Sequence, residues 1–201
     1  SSYLDEMQPG STQRFYRINI SLLNLVTNVL FATGGGPAHG VANDLFQGAT
    51  ITGHSPMHPA ADGFLAEDMF SHGSELHSTD AIFADTSRTF DYVEFHTTNA
   101  VHLSRVAIGF INDHIAGANN DNRSVSGIRM YASSTAETVQ DNLILDIPID
   151  PEYTTAYGSN GISADHDQNL SGVRYFRVEF TRSNPNSGPR VMEVDGYDDT
   201  P

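Results

Sequence analysis

Four histidines, His54, His58, His72 and His77, fall within one stretch of the chain beside Asp62, Glu67, Asp68, Glu75 and Asp80. Imidazole with carboxylate is the ligand mix that zinc and other transition metals take, and histidine also titrates near neutrality. The stretch could therefore hold a metal or make a pH-dependent contact. Neither pair of histidines has the helical His-Glu-x-x-His spacing, so clustering is the whole signal, and an exposed polar loop explains it equally. Further on, Asp165-His166-Asp167-Gln168-Asn169 sets oxygen-bearing side chains at alternate positions, the spacing with which a tight loop wraps Ca²⁺. Only the first half of an EF-hand loop is matched. Glycine comes late, at Gly172, and no glutamate closes the site, so a solvated acidic turn competes with calcium at Asp165, Asp167 and Asn169.

Catalytic signatures are missing. No nucleophile elbow, phosphate-binding glycine loop, dinucleotide fingerprint or nucleophile-and-base pair is found, and the expectation is a protein that is not an enzyme. Asn19, Asn122 and Asn169 each open an Asn-x-Ser acceptor sequence, a pattern that a chain so rich in Ser and Thr also produces by chance.

Composition narrows the class. The chain has 201 residues, enough for one β-sandwich with long loops, and no apolar run long enough to cross a bilayer. There is no cysteine, so neither disulfides nor thiolate metal sites contribute. Every basic residue is arginine, and 25 acidic residues against 10 basic ones leave a net charge of −15, which repels nucleic acid. The absence of a leader before Ser1-Ser2 suits a mature secreted chain, and the expected location is extracellular or at the cell surface.

The elements that must position these residues read as strands: short segments rich in Val, Ile, Phe and Tyr, parted by clusters of Gly, Asn, Asp, Ser and Pro. Strands are predicted over 14–22, 25–32, 90–97, 102–111, 127–132, 143–149, 173–181 and 189–197. The best marked is 173–181, where Phe176, Val178 and Phe180 face one side and Tyr175, Arg177, Glu179 and Thr181 the other. Its sequence RYFRVEFT (174–181) is echoed by RFYRINIS (14–21), in which Tyr16, Ile18 and Ile20 form the apolar set. The first strand could pair within the domain or complete a neighbouring subunit's sheet. Between Gly34 and Thr79 the chain reads as long ordered loops.

The segment RYFRVEFTRSNPNSGPRVMEVDGY (174–197) resembles the closing strand pair of discoidin, or coagulation-factor type C, domains. LSRVAIGFIND (103–113) with RSVSGIRMYASS (123–134) resembles their middle strands, and VANDLFQGATIT (41–52) their early turn. The resemblance implies an all-β, galactose-binding-like jelly-roll sandwich over 24–201 with long loops and an insertion near 52–79. Residues 1–23 are left as an extension that could be a donated strand. It further implies a calcium site that maps to Phe46, Gln47, Ala49, Thr50 and Glu193. Gln47 stands where the family has aspartate, which removes one charge from a site for a hard cation. Tryptophan, common after that turn in the family, is absent from the whole chain.

Domains of this kind bind sugars, lipids or proteins through loops at one end of the sandwich. The first expectation is therefore a non-catalytic extracellular carbohydrate-binding or adhesion module. Its ligand loops hold His54, His58, His72, His77, Asp113, Asn120 and Arg123, its partner is a glycan or cell-surface ligand, and its cofactor is Ca²⁺. The alternative is a self-assembling filament or surface-layer subunit, in which the strand of Tyr16, Ile18 and Ile20 pairs with another copy.

Overall fold

The computed structural model describes residues 26–33, 43–59, 65–70, 81–112, 123–149, 158–166 and 170–198. Among these are ten strands: β1 Val26–Thr33, β2 Thr50–His54, β3 Ala81–Ile82, β4 Phe90–His102, β5 Arg105–Asn112, β6 Val125–Ser133, β7 Leu143–Pro148, β8 Gly158–His166, β9 Ser171–Arg182 and β10 Arg190–Tyr197. They form two five-stranded sheets, β1-β8-β5-β10-β3 and β2-β4-β9-β6-β7, and every pairing is antiparallel. The architecture is the expected all-β sandwich.

Alternation decides which side chains meet between the sheets. Phe176, Val178 and Phe180 of β9 are buried beside Val93 and Phe95 of β4 and Ile128 and Met130 of β6. Val106, Ile108 and Phe110 of β5, Ile162 of β8 and Val191 and Val194 of β10 belong to the same core. Each large apolar side chain removed from water contributes roughly 1.5–3 kcal/mol, so β9 alone supplies several such increments. Between β1 and β2 the chain passes from one sheet to the other, and Phe46 enters the core on the way. Its ring lies 5.0 Å from that of Phe95 and 4.8 Å from that of Phe176. A Cβ at Gly196 would meet the Phe46 ring at 2.6 Å, so this close approach requires glycine there.

Three strands depart from the sequence expectation. β2 (TITGH), β8 (GSNGISADH) and the two-residue β3 carry glycines, polar residues or too little length to show an apolar period. Asp165 and His166, expected in a cation-wrapping turn, are the last residues of β8, where Asp165 pairs with Arg105 on one side and Asn28 on the other. The stretch expected to be loop between Gly34 and Thr79 also contains a short 3₁₀ turn, Ala66–Phe70, whose Met69 and Phe70 are buried in the core. The predicted strand over 14–22, with Tyr16, Ile18 and Ile20, lies outside the described residues.

At the end of the sandwich where β9 runs out, one buried ion pair fixes two connecting segments. Arg182 grips Asp91 of β4 with Nε to Oδ2 at 2.6 Å and Nη2 to Oδ1 at 3.0 Å. The same guanidinium donates to the carbonyls of Ala84, Thr86 and Pro185 at 2.9, 2.7 and 3.2 Å. All five of its N–H groups are thereby used. Segments 83–89 and 183–189 are held against the sheets as a consequence, and they meet where the Gly188 amide donates to Asp85.

Candidate functional site

Chain segments from both sheets converge at this end. Residues 56–58 run beside 82–84, with the Ala84 amide donating to the Pro56 carbonyl at 2.8 Å and the His58 amide to the Ile82 carbonyl at 2.8 Å. Phe83 in turn donates to the Pro189 carbonyl at 3.1 Å. On this framework Arg123, just before β6, makes a two-pronged contact with Asp85, Nη1 to Oδ1 at 2.7 Å and Nη2 to Oδ2 at 2.6 Å. The Gly188 amide donates to Asp85 Oδ1 at 3.0 Å, and its carbonyl accepts from Arg123 Nη1 at 3.2 Å. His58 Nε2 lies 3.4 Å from Asp85 Oδ2. Only glycine fits at 188, because a Cβ there would meet the Phe83 carbonyl oxygen at 1.9 Å.

Burial pushes the Asp85 carboxyl up, but the hydrogen bonds from Arg123 and Gly188 and the charges of Arg123 and His58 outweigh it, so the group sits below its ordinary value. Asp85 is accordingly a fixed anion at neutral pH. Its side chain is 40% exposed and that of His58 25%, so the edge of the cluster faces solvent while Arg123 anchors it from below. Fixed donors and acceptors at the rim of loops are what a sugar's hydroxyl groups require.

Of the ligand-loop residues read from the sequence, His58 and Arg123 are brought together here. His54 ends β2, exposed, with Nδ1 2.7 Å from the Ser55 carbonyl. His72, His77, Asp113 and Asn120 lie outside the described residues, as do Asp167 and Asn169. Asp85, which links His58 to Arg123, was missed. Its one signal is an acid between the apolar Ile82-Phe83 and the strand that starts at Phe90, and many exposed acids in this chain share such a setting.

The early turn lies elsewhere, against the β10 edge that short β3 leaves uncovered. The Leu45 amide donates to the Gly196 carbonyl at 2.7 Å, and Asp44 Oδ1 accepts from the amides of Gly196 and Phe46, each at 2.9 Å. Phe46 sends its side chain into the core, and its carbonyl accepts from Ala49 at 2.9 Å. Gln47 and Thr50 are exposed and Ala49 half-buried. Glu193 is buried on β10, next but one to Asp195, which accepts from the Tyr197 hydroxyl at 2.9 Å. Desolvation first, then the negative charges of Asp195 and Asp44, push Glu193 from 4.5 to about 9. The same burial and the same two acids raise the Tyr197 hydroxyl above its ordinary range.

Whether these residues suit a cation can be judged from the donors. They are all oxygens, the chemistry of a hard ion such as Ca²⁺, and Asp44 and Glu193 crowd like charge that such an ion would relieve. Among the described residues, however, no three His, Cys, Asp or Glu side chains converge as a metal-holding group. An ion here would depend on main-chain oxygens beside Asp44 and Glu193.

The chain matches no family model and no curated protein sequence. Solved structures do share its fold. Chitosan-binding module 1 of a chitosanase/glucanase from Paenibacillus sp. IK-5, as a selenomethionine-labelled point mutant, is 18% identical with a TM-score of 0.52, covering 78% of this chain and 98% of that one. The lectin domain of lectinolysin, complexed with Lewis B antigen, is 14% identical with a TM-score of 0.53, covering 79% and 99%. Reduced XRCC1 bound to the DNA pol beta catalytic domain is 11% identical with a TM-score of 0.53, covering 75% and 96%. The fold is thus the jelly-roll sandwich found in carbohydrate-binding modules and lectin domains, and at these identities the likeness reaches the fold alone.

Proposed function

We propose that this chain is a non-catalytic extracellular carbohydrate-binding module, which presents the His58–Asp85–Arg123 end of its sandwich to a neutral or amino-bearing glycan. One observation carries the reading: residues from three separate segments, numbered 58, 85 and 123, meet in one partly exposed, charge-assisted cluster at the loop end. Arg123 and the Gly188 amide hold Asp85 in a fixed orientation, and the partly exposed carboxylate edge and the His58 ring beside it would address sugar hydroxyls. The sugar-binding names of two of the three structural neighbours support the class of ligand. The net charge of −15 supports its sign, since sulfated or uronic polysaccharides would be repelled. Calcium belongs to the same reading in a structural role, held by Asp44 and Glu193 with main-chain oxygens, where it would neutralise buried acids.

Affinity gel electrophoresis tests this with galactan, β-glucan, chitosan and polygalacturonate cast in the gel. The chain should be retarded by a neutral polysaccharide or by chitosan and not by polygalacturonate. His58→Ala should weaken the retardation about tenfold, equivalent to about 1.4 kcal/mol, without lowering the melting temperature. Retardation by polygalacturonate alone, or full retention of binding in His58→Ala, would overturn the proposal.

A further inference from the structure

The two sheets end in four edge strands, and these are not equally protected. β3 has two residues, too few to template another strand. β2 has five, with a bulge between Ile51 and Gly53, while β7 carries the exposed Asp146 and ends in Pro148. Short length, bulges, charge and proline are the devices that keep a sheet edge from pairing with another chain. β1 is the exception: its sequence VTNVLFAT has eight residues with no charge, no glycine and no proline. Apart from a bulge near Val26 it pairs with β8 without interruption from Asn28 to Thr33, and no described strand takes its other side. In an antiparallel ladder alternate residues turn both N–H and C=O away from the partner, so about three residues of that stretch present backbone groups at the edge.

We propose that the β1 edge accepts the segment RFYRINIS (14–21) of a second copy of this chain as an added strand, so that copies join through donated arms. The segment lies outside the described residues, and its sequence supplies the match. Tyr16, Ile18 and Ile20 alternate as an apolar set, and the edge they would join is the open end of two apolar rows. Phe31 stands in register with Ile162, Ile108 and Val194, and Val29 with Ala164 and Val106; inward of β1 all five of these partners are wholly buried. A strand with every second residue apolar prolongs such rows, and a slip by one residue would put Arg17 in their line, which fixes the register. Arg14 and Arg17, with no acid between them and Ser21, make the segment positive in a chain of net charge −15. An arm is thus drawn to the body of another copy while the bodies repel one another.

Only Leu22, Leu23, Asn24 and Leu25 separate the segment from β1. Folding back onto its own β1 as a hairpin takes a tight reversal, for which glycine, asparagine or aspartate supplies the positive φ, and one asparagine among three leucines is poor turn chemistry. Adding to its own β1 in parallel takes a crossover of roughly a dozen residues, which this linker lacks. A second copy meets neither limit. Donor and acceptor are different surfaces, so the contact passes from copy to copy unless two copies exchange arms. Assembly is independent of glycan binding, because β1 and β3 are opposite edges of their sheet and Asp85 follows β3.

Light scattering coupled to size exclusion tests this on the full chain over a series of concentrations, comparing the parent with Ile18→Pro, with Arg14→Glu plus Arg17→Glu, and with His58→Ala. The parent and His58→Ala should self-associate alike, their mass rising with concentration. Ile18→Pro takes a donor out of the arm's ladder and should stay monomeric, with thermal melting to confirm that it folds. The double glutamate variant keeps an unbroken strand and should need about tenfold higher concentration to associate; should Ile18→Pro fail to fold, this variant alone decides. Hydrogen exchange locates the contact: amides within Asn28–Thr33 should be protected in the assembled parent and exchange faster in the monomeric variant. A monomeric parent overturns the inference. So does association undiminished in the arm variants, or association lost in them with no change in β1 exchange.

Discussion

Arg177 and Arg182 sit five residues apart on one strand, both nearly buried, and they serve opposite ends. Arg182 spends every N–H on Asp91 and three carbonyls, and neither partner of the ion pair is exposed. Arg177 faces the outside of its sheet, with two carboxylates and a tyrosine ring around it, and its Nε and Nη1 donate to side chains alone. Burial alone therefore says little about function. A charge that spends every donor on its counter-ion and on backbone is a rivet between segments, whereas one shared among side chains orders the face it stands on.

Breaking the rivet should have the largest effect. Asp91→Asn leaves the Arg182 charge in a dry site without its counter-ion, and a loss of about 3–5 kcal/mol is expected, read as a fall in the denaturation midpoint. The connections 83–89 and 183–189 lose their anchor at the same time, so Asp85 and Gly188 should loosen and glycan binding at the loop end should fall with stability. Replacing both partners together, as Asp91→Leu with Arg182→Met, should recover only part of the stability, because no charge is then stranded but the carbonyls of Ala84, Thr86 and Pro185 lose their donor. A single variant as stable as the parent would mean that the pair is not a rivet.

Glu193 is the counter-example among buried charges, since the ionisable groups that shift it are acids. A carboxyl raised from 4.5 to about 9 holds its proton in the folded state over a range where the unfolded chain has released it. Stability is therefore highest below about pH 4.5 as far as this group is concerned, declines as pH rises, and levels off above about 9. Glu193→Gln should flatten that slope and gain on the order of a few kcal/mol at the alkaline end, as measured by chemical denaturation across the pH range. Adding calcium at alkaline pH should restore the parent protein but not the glutamine variant, which separates a cation from a proton as the neutralising partner.

The same contrast marks how far the sequence could be read. Alternation in 173–181 placed Phe176, Val178 and Phe180 inside and Arg177 outside, because the two-residue period is a local property of one strand. What Arg177 touches is not local: Glu94 is 83 residues away, brought opposite by the β4–β9 register. Asp85 and Arg123 are likewise 38 residues apart and joined only by the fold. Strands β2 and β8 were hidden by their glycines, Gly53 among them, since a glycine weakens a strand signal. The early turn was legible through resemblance alone, for nothing in the spacing of Phe46, Gln47, Ala49 and Thr50 points to Asp44 as an acid whose charge reaches Glu193.

The smallest expected effect sharpens the comparison most. Arg177→Lys keeps the charge beside Glu94 and Glu179 but gives up the planar fork and its stacking on Tyr92. Partly exposed ion pairs contribute about 0–1 kcal/mol, so stability should change by less than about 1 kcal/mol. The same conservative change at Arg182 removes acceptor matches in a dry site and should cost several times more. If lysine is tolerated equally at 177 and 182, the distinction between a rivet to the backbone and a charge shared among side chains fails.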